Sequence, residues 1–100
     1  MKLGILVSTA EHIDDLLGLV NAALAKGHEV LLFNMGKGIT VLNNAACIQL
    51  CKKSGVKMSY CDHSAKSEEF NKDGIPEEIV CGSQFDNANN MHEADKVIVL

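Results

Sequence analysis

Apolar residues follow two rhythms along this chain. Short, largely apolar runs occupy residues 3–8, Val30–Phe33, Val56–Cys61, Ile79–Cys81 and Lys96–Leu100. Runs of this length without a strict in-out alternation are how strands buried on both faces read. Between the first two runs, Ile13, Leu16, Leu17, Val20 and Leu24 recur at helical spacing, with Asp14, Asp15 and Asn21 on the opposite side. Ser8 with Glu11 marks a start for that helix and Lys26-Gly27 an end, a cation followed by a glycine suited to a left-handed stop. After the second strand, Asn34–Gly38 reads as a glycine loop, and residues 40–53 as a second helix closed by Ser54-Gly55. Asp62 or Ser64 can cap a short third helix running to about Asn71. Lys72–Pro76 is a turn, and Ser83 with Asp86 opens a fourth helix ending near Glu93.

Strands alternating with helices through short connections predict an α/β fold, a doubly wound parallel sheet covered on both faces. No repeat or low-complexity segment interrupts the pattern. The working edge of such a sheet is the rim at the carboxyl ends of its strands. That rim collects Ser8 and Thr9, the Asn34–Gly38 loop, Cys61-Asp62-His63-Ser64, and Gly82-Ser83.

Composition narrows the class. One hundred residues, 47% hydrophobic and 22% charged, suit one domain spanning 1–100 with a genuine core. The formal charge is −4 and no Lys/Arg cluster is present, so direct nucleic-acid binding is not expected. No run approaches the length of a membrane span. The opening Met1–Ala10 imitates an export signal, but an acidic amphipathic helix follows it, and a first buried strand explains it better. A cytoplasmic location with reduced cysteines is therefore expected for Cys47, Cys51, Cys61 and Cys81.

Cys61 is the candidate catalytic residue. It ends a strand where a helix begins, and the free N–H groups and dipole of that helix end favour a thiolate. His63 and Lys37 are candidate electrostatic helpers, and Asp62 opposes them unless its carboxylate is otherwise engaged. The competing reading is a half-buried cysteine acting as a small hydrophobe. Cys47 and Cys51, four apart on one helix, read as small core residues, since a second ligand pair for metal is missing. Cys81 reads as packing, with a second thiol near Cys61 as the lesser alternative. His12, His28 and His92 lack partners at ligand spacing. Gly36-Lys37-Gly38 is too short for a phosphate loop, no dinucleotide glycine signature occurs, and no carboxylate pair marks a glycosidase. No metal or other cofactor is expected. Ser8, Thr9, Gly36, Gly38, Ser64, Gly82 and Ser83 are the candidate binding residues.

The order of these pieces resembles one known family. Ala23–Phe33, which includes Gly27-His28-Glu29-Val30, is similar to the first-helix-to-second-strand signature of DsrE/DsrF-like proteins. Gly36, Gly38 and Ile39 follow in the expected place, and Cys61 with Ala65 stands where that family carries its sulfur-accepting cysteine. Gly82-Ser83 and Glu93–Leu100 resemble the closing helix and strand. The resemblance implies a three-layer α/β/α fold with a five-stranded parallel sheet and assembly into homotrimers or homohexamers. It also implies persulfide chemistry, in which Cys61 takes sulfane sulfur from a donor protein and passes it to an acceptor cysteine. This chain differs from the relays in following its cysteine with Asp62–Glu69 rather than a more apolar helix and an Arg-Gly. A non-catalytic oligomeric binding module with purely structural cysteines is the alternative. Residues 39–51 contain no charge, which predicts that the second helix lies in a subunit interface with Cys61 near an intersubunit crevice.

Overall fold

The computed structural model describes residues 1–100. The apolar runs form strands β1 (Lys2–Val7), β2 (Glu29–Asn34), β3 (Val56–Cys61), β4 (Ile79–Gly82) and β5 (Lys96–Val99). All neighbours pair in parallel, in the order β4-β3-β2-β1-β5. The helices are α1 (Ile13–Ala25), α2 (Ala45–Gln49), α3 (Asp62–Ser67) and α4 (Gln84–Glu93). From β1 to β4 each crossover steps one strand in the same direction, so right-handed connections put α1, α2 and α3 on one face. The return from β4 to β5 runs the opposite way and places α4 on the other face.

Register divides the strand residues between those faces. Ile5, Leu32, Met58 and Ile79 align across the sheet and pack with Leu16, Val20 and Ala23 of α1. Gly4, Leu6, Leu31 and Phe33 point the other way, towards α4. At Gly4 an added Cβ would sit 2.9 Å from the Ala94 Cβ, so the end of α4 rests directly on β1. The two faces are unequally covered. The α1 side is a continuous buried core, whereas no residue of α4 is fully buried and Val80, Phe85, Val97 and Val99 stay exposed.

The second helix departs from expectation. Instead of one helix over 40–53, a 3-10 stretch covers Gly36–Asn43, α2 follows, and a 3-10 turn covers Leu50–Lys52. Asn44 causes the break: extended at φ −90°, ψ 122°, it accepts with its side chain from the N–H groups of Ala46 and Cys47. A local side-chain bond of this kind replaces helix continuation with a new helix start. The refolded stretch buries Ile39, Val41, Leu42, Cys47, Leu50 and Cys51 in the chain's own core, leaving Thr40, Asn43, Ala45, Ala46 and Gln49 exposed. The apolar surface that argued for an interface here is covered from within.

Other boundaries moved for similar reasons. The Ser8 hydroxyl donates to the Leu100 carbonyl at 3.0 Å, and α1 begins at Ile13 with no side-chain cap. Neither Asp62 nor Ser64 caps α3; Cys61 occupies the cap position, and the helix stops at Ser67, just before Glu69 at φ +52°. For α4 the capping box holds, Ser83 and Asp86 satisfying each other's backbone N–H.

Two glycines test the packing in opposite directions. A Cβ on Gly38 would collide with the Val7 carbonyl, which cannot swing aside as a side chain can. Gly38→Ala should destabilise the protein by about 3 kcal/mol, read as a lower urea midpoint. Gly18 lies mid-helix with nothing within 4 Å of its would-be Cβ, so Gly18→Ala should stabilise by about 0.5–1 kcal/mol in the same assay.

Candidate functional site

β3 and β4 are neighbours, yet the helices that follow them leave for opposite faces of the sheet. Chains that diverge in this way open a crevice beyond the carboxyl ends of the strands, where doubly wound folds bind ligands. Here the crevice has a volume of about 560 Å³. Cys61, His63, Ser64 and Lys66 line it from the β3 side, Gly82, Ser83 and Gln84 from the β4 side, and Met35 from the end of β2. A smaller recess of about 220 Å³ at the opposite, amino end of the sheet contains Lys2, Glu29, Lys57 and Glu93. It has no nucleophile, and Lys2 and Glu93 pair with each other.

Cys61 sits at the floor of the crevice, 2% exposed. Burial by itself pushes its thiol up. Against burial stand its polar neighbours, the Ser64 hydroxyl and backbone N–H first, then the Gln84 amide and the His63 backbone N–H, and the balance is a thiol held below its ordinary value. The Ser64 oxygen accepts from the Gly36 N–H at 2.8 Å, which fixes the hydroxyl beside Cys61. The groups that lower the thiol are thus neutral. Asp62 does not oppose them. Its carboxylate accepts from Lys72 at 2.6 Å, from Lys66 at 3.1 Å and from the Cys81 thiol at 3.4 Å, and these hold it well below the usual carboxylate range.

Of the residues singled out by sequence, Cys61, His63, Ser64, Gly82 and Ser83 come together at this crevice, with Gly36 one hydrogen bond behind. Lys37 is exposed and outside the crevice lining. Gly38 packs on the Val7 carbonyl, Ser8 is tied to Leu100, and the Thr9 hydroxyl accepts from the Glu11 N–H. Ser8 and Thr9 follow β1, which β2 separates from β3, so they lie at a different part of the rim. Lys66 and Gln84 were not anticipated, and Met35 only as part of the Asn34–Gly38 rim loop. Gln84 had a readable signal, being the first helical residue after the Ser83 cap. Met35 had none beyond its position after a strand.

The remaining thiols differ from Cys61. Cys47 and Cys51 are buried, and burial pushes both up, with Glu78 adding to the effect at Cys51. No three His, Cys, Asp or Glu side chains converge as metal ligands. Cys81, expected in packing, is exposed instead because β4 is an edge strand. Its thiol donates to Asp62, and the hydroxyl of neighbouring Tyr60 is pushed up to about 12, first by burial and then by Cys81.

This architecture is shared with solved structures. YchN of E. coli superposes over 100% of both chains with a TM-score of 0.79 at 14% identity. MTH1491 of Methanobacterium thermoautotrophicum, described as of unknown function, superposes over 99% of this chain and 98% of its own with a TM-score of 0.80, also at 14% identity. No curated protein matches the sequence. No helix is long and apolar enough to cross a membrane. The profile of the DsrE/DsrF-like family matches residues 1–100, the full span of strands, helices and crevice described above, and the chain belongs to that family.

Proposed function

We propose that this protein is a sulfur carrier, a sulfurtransferase subunit that holds sulfane sulfur as a persulfide on Cys61. The observation that supports it most is a buried cysteine at the floor of an open crevice, its thiol lowered by neutral polar neighbours. The Cys61 thiolate attacks the outer sulfur of a donor persulfide R–S–SH, forming Cys61–S–SH and releasing RS⁻. An acceptor thiolate then attacks that outer sulfur, and Cys61 leaves as the thiolate its neighbours already stabilise. No cofactor enters either step. The donor is a protein or small-molecule persulfide and the acceptor a protein or small-molecule thiol, both reaching the crevice in the cytoplasm.

A second reading is a non-catalytic binding module, favoured by the apolar side chains exposed around α4. Members of the family commonly form oligomers. We assign the contact between copies, as a homotrimer or homohexamer, to this α4 side rather than to the second helix.

Exposure to inorganic polysulfide should add one sulfur, about 32 Da, to the Cys61 peptide, and Cys61→Ser should remove that addition. Sulfur found on another cysteine, or on none, sinks the carrier reading and leaves the binding module. The alkylation rate of Cys61 should rise with pH to a midpoint below the usual thiol value of about 8.5. Ser64→Ala removes the hydroxyl donor and should move that midpoint upwards, because the thiolate loses a partner that the thiol does not need. For assembly, sedimentation at micromolar concentration should show a trimer or larger. Phe85→Glu should shift it towards monomer; a wild-type monomer would contradict the α4-side contact.

A further inference from the structure

Cys61 lines a crevice of about 560 Å³, yet only 2% of it is exposed. Its cover does not come from the neighbouring strand. Tyr60 belongs to the α1-side core, so Cys61, the next residue of β3, turns towards the α4 face. Its register partner on β4 is Gly82, which has no side chain to lay over it.

The cover comes instead from the chain on either side. β3 runs between β2 and β4. Met35 is the first residue after β2, and Gln84 opens α4 two residues after β4. Gln84 Nε2 donates to Met35 Sδ at 3.8 Å, joining the two exits across the end of β3 that Cys61 closes. The other end of the amide is held too, Asn87 Nδ2 donating to Gln84 Oε1 at 3.2 Å. Both Met35 and Gln84 line the crevice, one half-buried and the other exposed, so they lie outside the buried cysteine. A thioether is a weak acceptor on a flexible side chain, and this contact is open to water, so the cross-link yields easily. It slows entry without forbidding it.

We propose that Met35 and Gln84 form a strap over Cys61 that selects sulfur donors and acceptors by size. Small sulfane-sulfur species such as hydropolysulfide ions pass beside it. A persulfide carried on a peptide of glutathione's size or larger must first part the Met35 side chain from the Gln84 amide. This rests on the reading of Cys61 as the sulfur-exchanging group and adds the determinant of what it exchanges with. Both side chains of the strap are uncharged, so it filters on bulk.

The test compares N-methylmaleimide with N-(1-pyrenyl)maleimide, which share one reactive group and differ in bulk. Labelling of Cys61 is followed by peptide mass, which separates it from Cys81. The readout is the rate ratio, bulky over small; both reagents meet the same thiolate fraction, so changes in that fraction cancel. Met35→Leu keeps the bulk and removes the sulfur acceptor, and should raise the ratio about threefold. Met35→Ala removes both and should raise it about tenfold. Gln84→Ala should act like Met35→Ala, and the double variant should exceed neither, since either change undoes the strap. If Met35→Ala loosens the core, buried Cys47 and Cys51 take up label, and Gln84→Ala, whose side chain is exposed, decides. A ratio unmoved by both single changes, or rises that multiply in the double variant, overturns the proposal. Sulfur loading is scored apart. Inorganic polysulfide should load wild-type Cys61 faster than glutathione persulfide does, and Met35→Ala should narrow the gap. A Cys61 that takes sulfur from neither, with the maleimide ratio behaving as expected, removes the carrier reading alone. Sulfur loading with a ratio indifferent to both side chains removes the strap alone.

Discussion

Handedness is the constraint on which the rest depends. An L-amino-acid chain joins parallel strands by right-handed crossovers, so the face a helix occupies is decided by the direction in which the next strand is added. Steps from β1 to β4 all go one way, and only the last connection goes back. That single reversal sends α3 and α4 apart from adjacent strands, and the crevice is what remains between them. Cys61 needs no special loop to reach it. It is simply the last residue of the strand beside the reversal.

The chemistry of the crevice follows from a division of polar labour. The backbone N–H groups of His63 and Ser64 belong to the first turn of α3, where no partner exists within the helix, and they lower the neighbouring thiol as the open end of any helix would allow. The neighbouring acid could have cancelled them. Instead Lys66 and Lys72 draw Asp62 away, the second from the turn that follows α3. The same turn brings Phe70 against Tyr60, with ring centroids 6.4 Å apart, so an apolar contact and an ion pair fix one loop to the underside of the site.

What the chain discloses by inspection depends on how local the cause is. All five strands and the α4 cap were readable, because an apolar run and a Ser-x-x-Asp box carry their meaning within a few residues. Cys61, Ser64 and Gly82 were readable as rim residues for the same reason. The second helix was misread because Asn44 competes through its side chain, an effect that residue type permits without requiring. Ser8 and Thr9 were readable as rim residues too, but their separation from Cys61 by β2 was not, since strand order is a long-range property invisible in any window. Lys37 lies exposed in the 3-10 stretch and outside the crevice lining, although Met35 of the same loop lines the crevice. Gln84 and Met35 meet only in three dimensions, 49 residues apart in the chain.

The late placement of β5 has a consequence for how the site comes and goes. Strands β1 to β4 can zip together in the order they are made, each closing a short loop onto its predecessor. β5 must travel to the far edge and pair with β1, which lies more than ninety positions away in the register Leu3 to Lys96. Contacts of such separation form late and open early. With α4 only lightly packed, α4 and β5 together make a unit able to detach while the α1-side core stays folded. Amide protons there are expected to exchange ahead of those in β2. Each such excursion would carry Gln84 away from the crevice wall and bare Cys61 to solvent, so that a cysteine almost fully covered at rest is reached through breathing of the last-added ribbon rather than through a permanent opening.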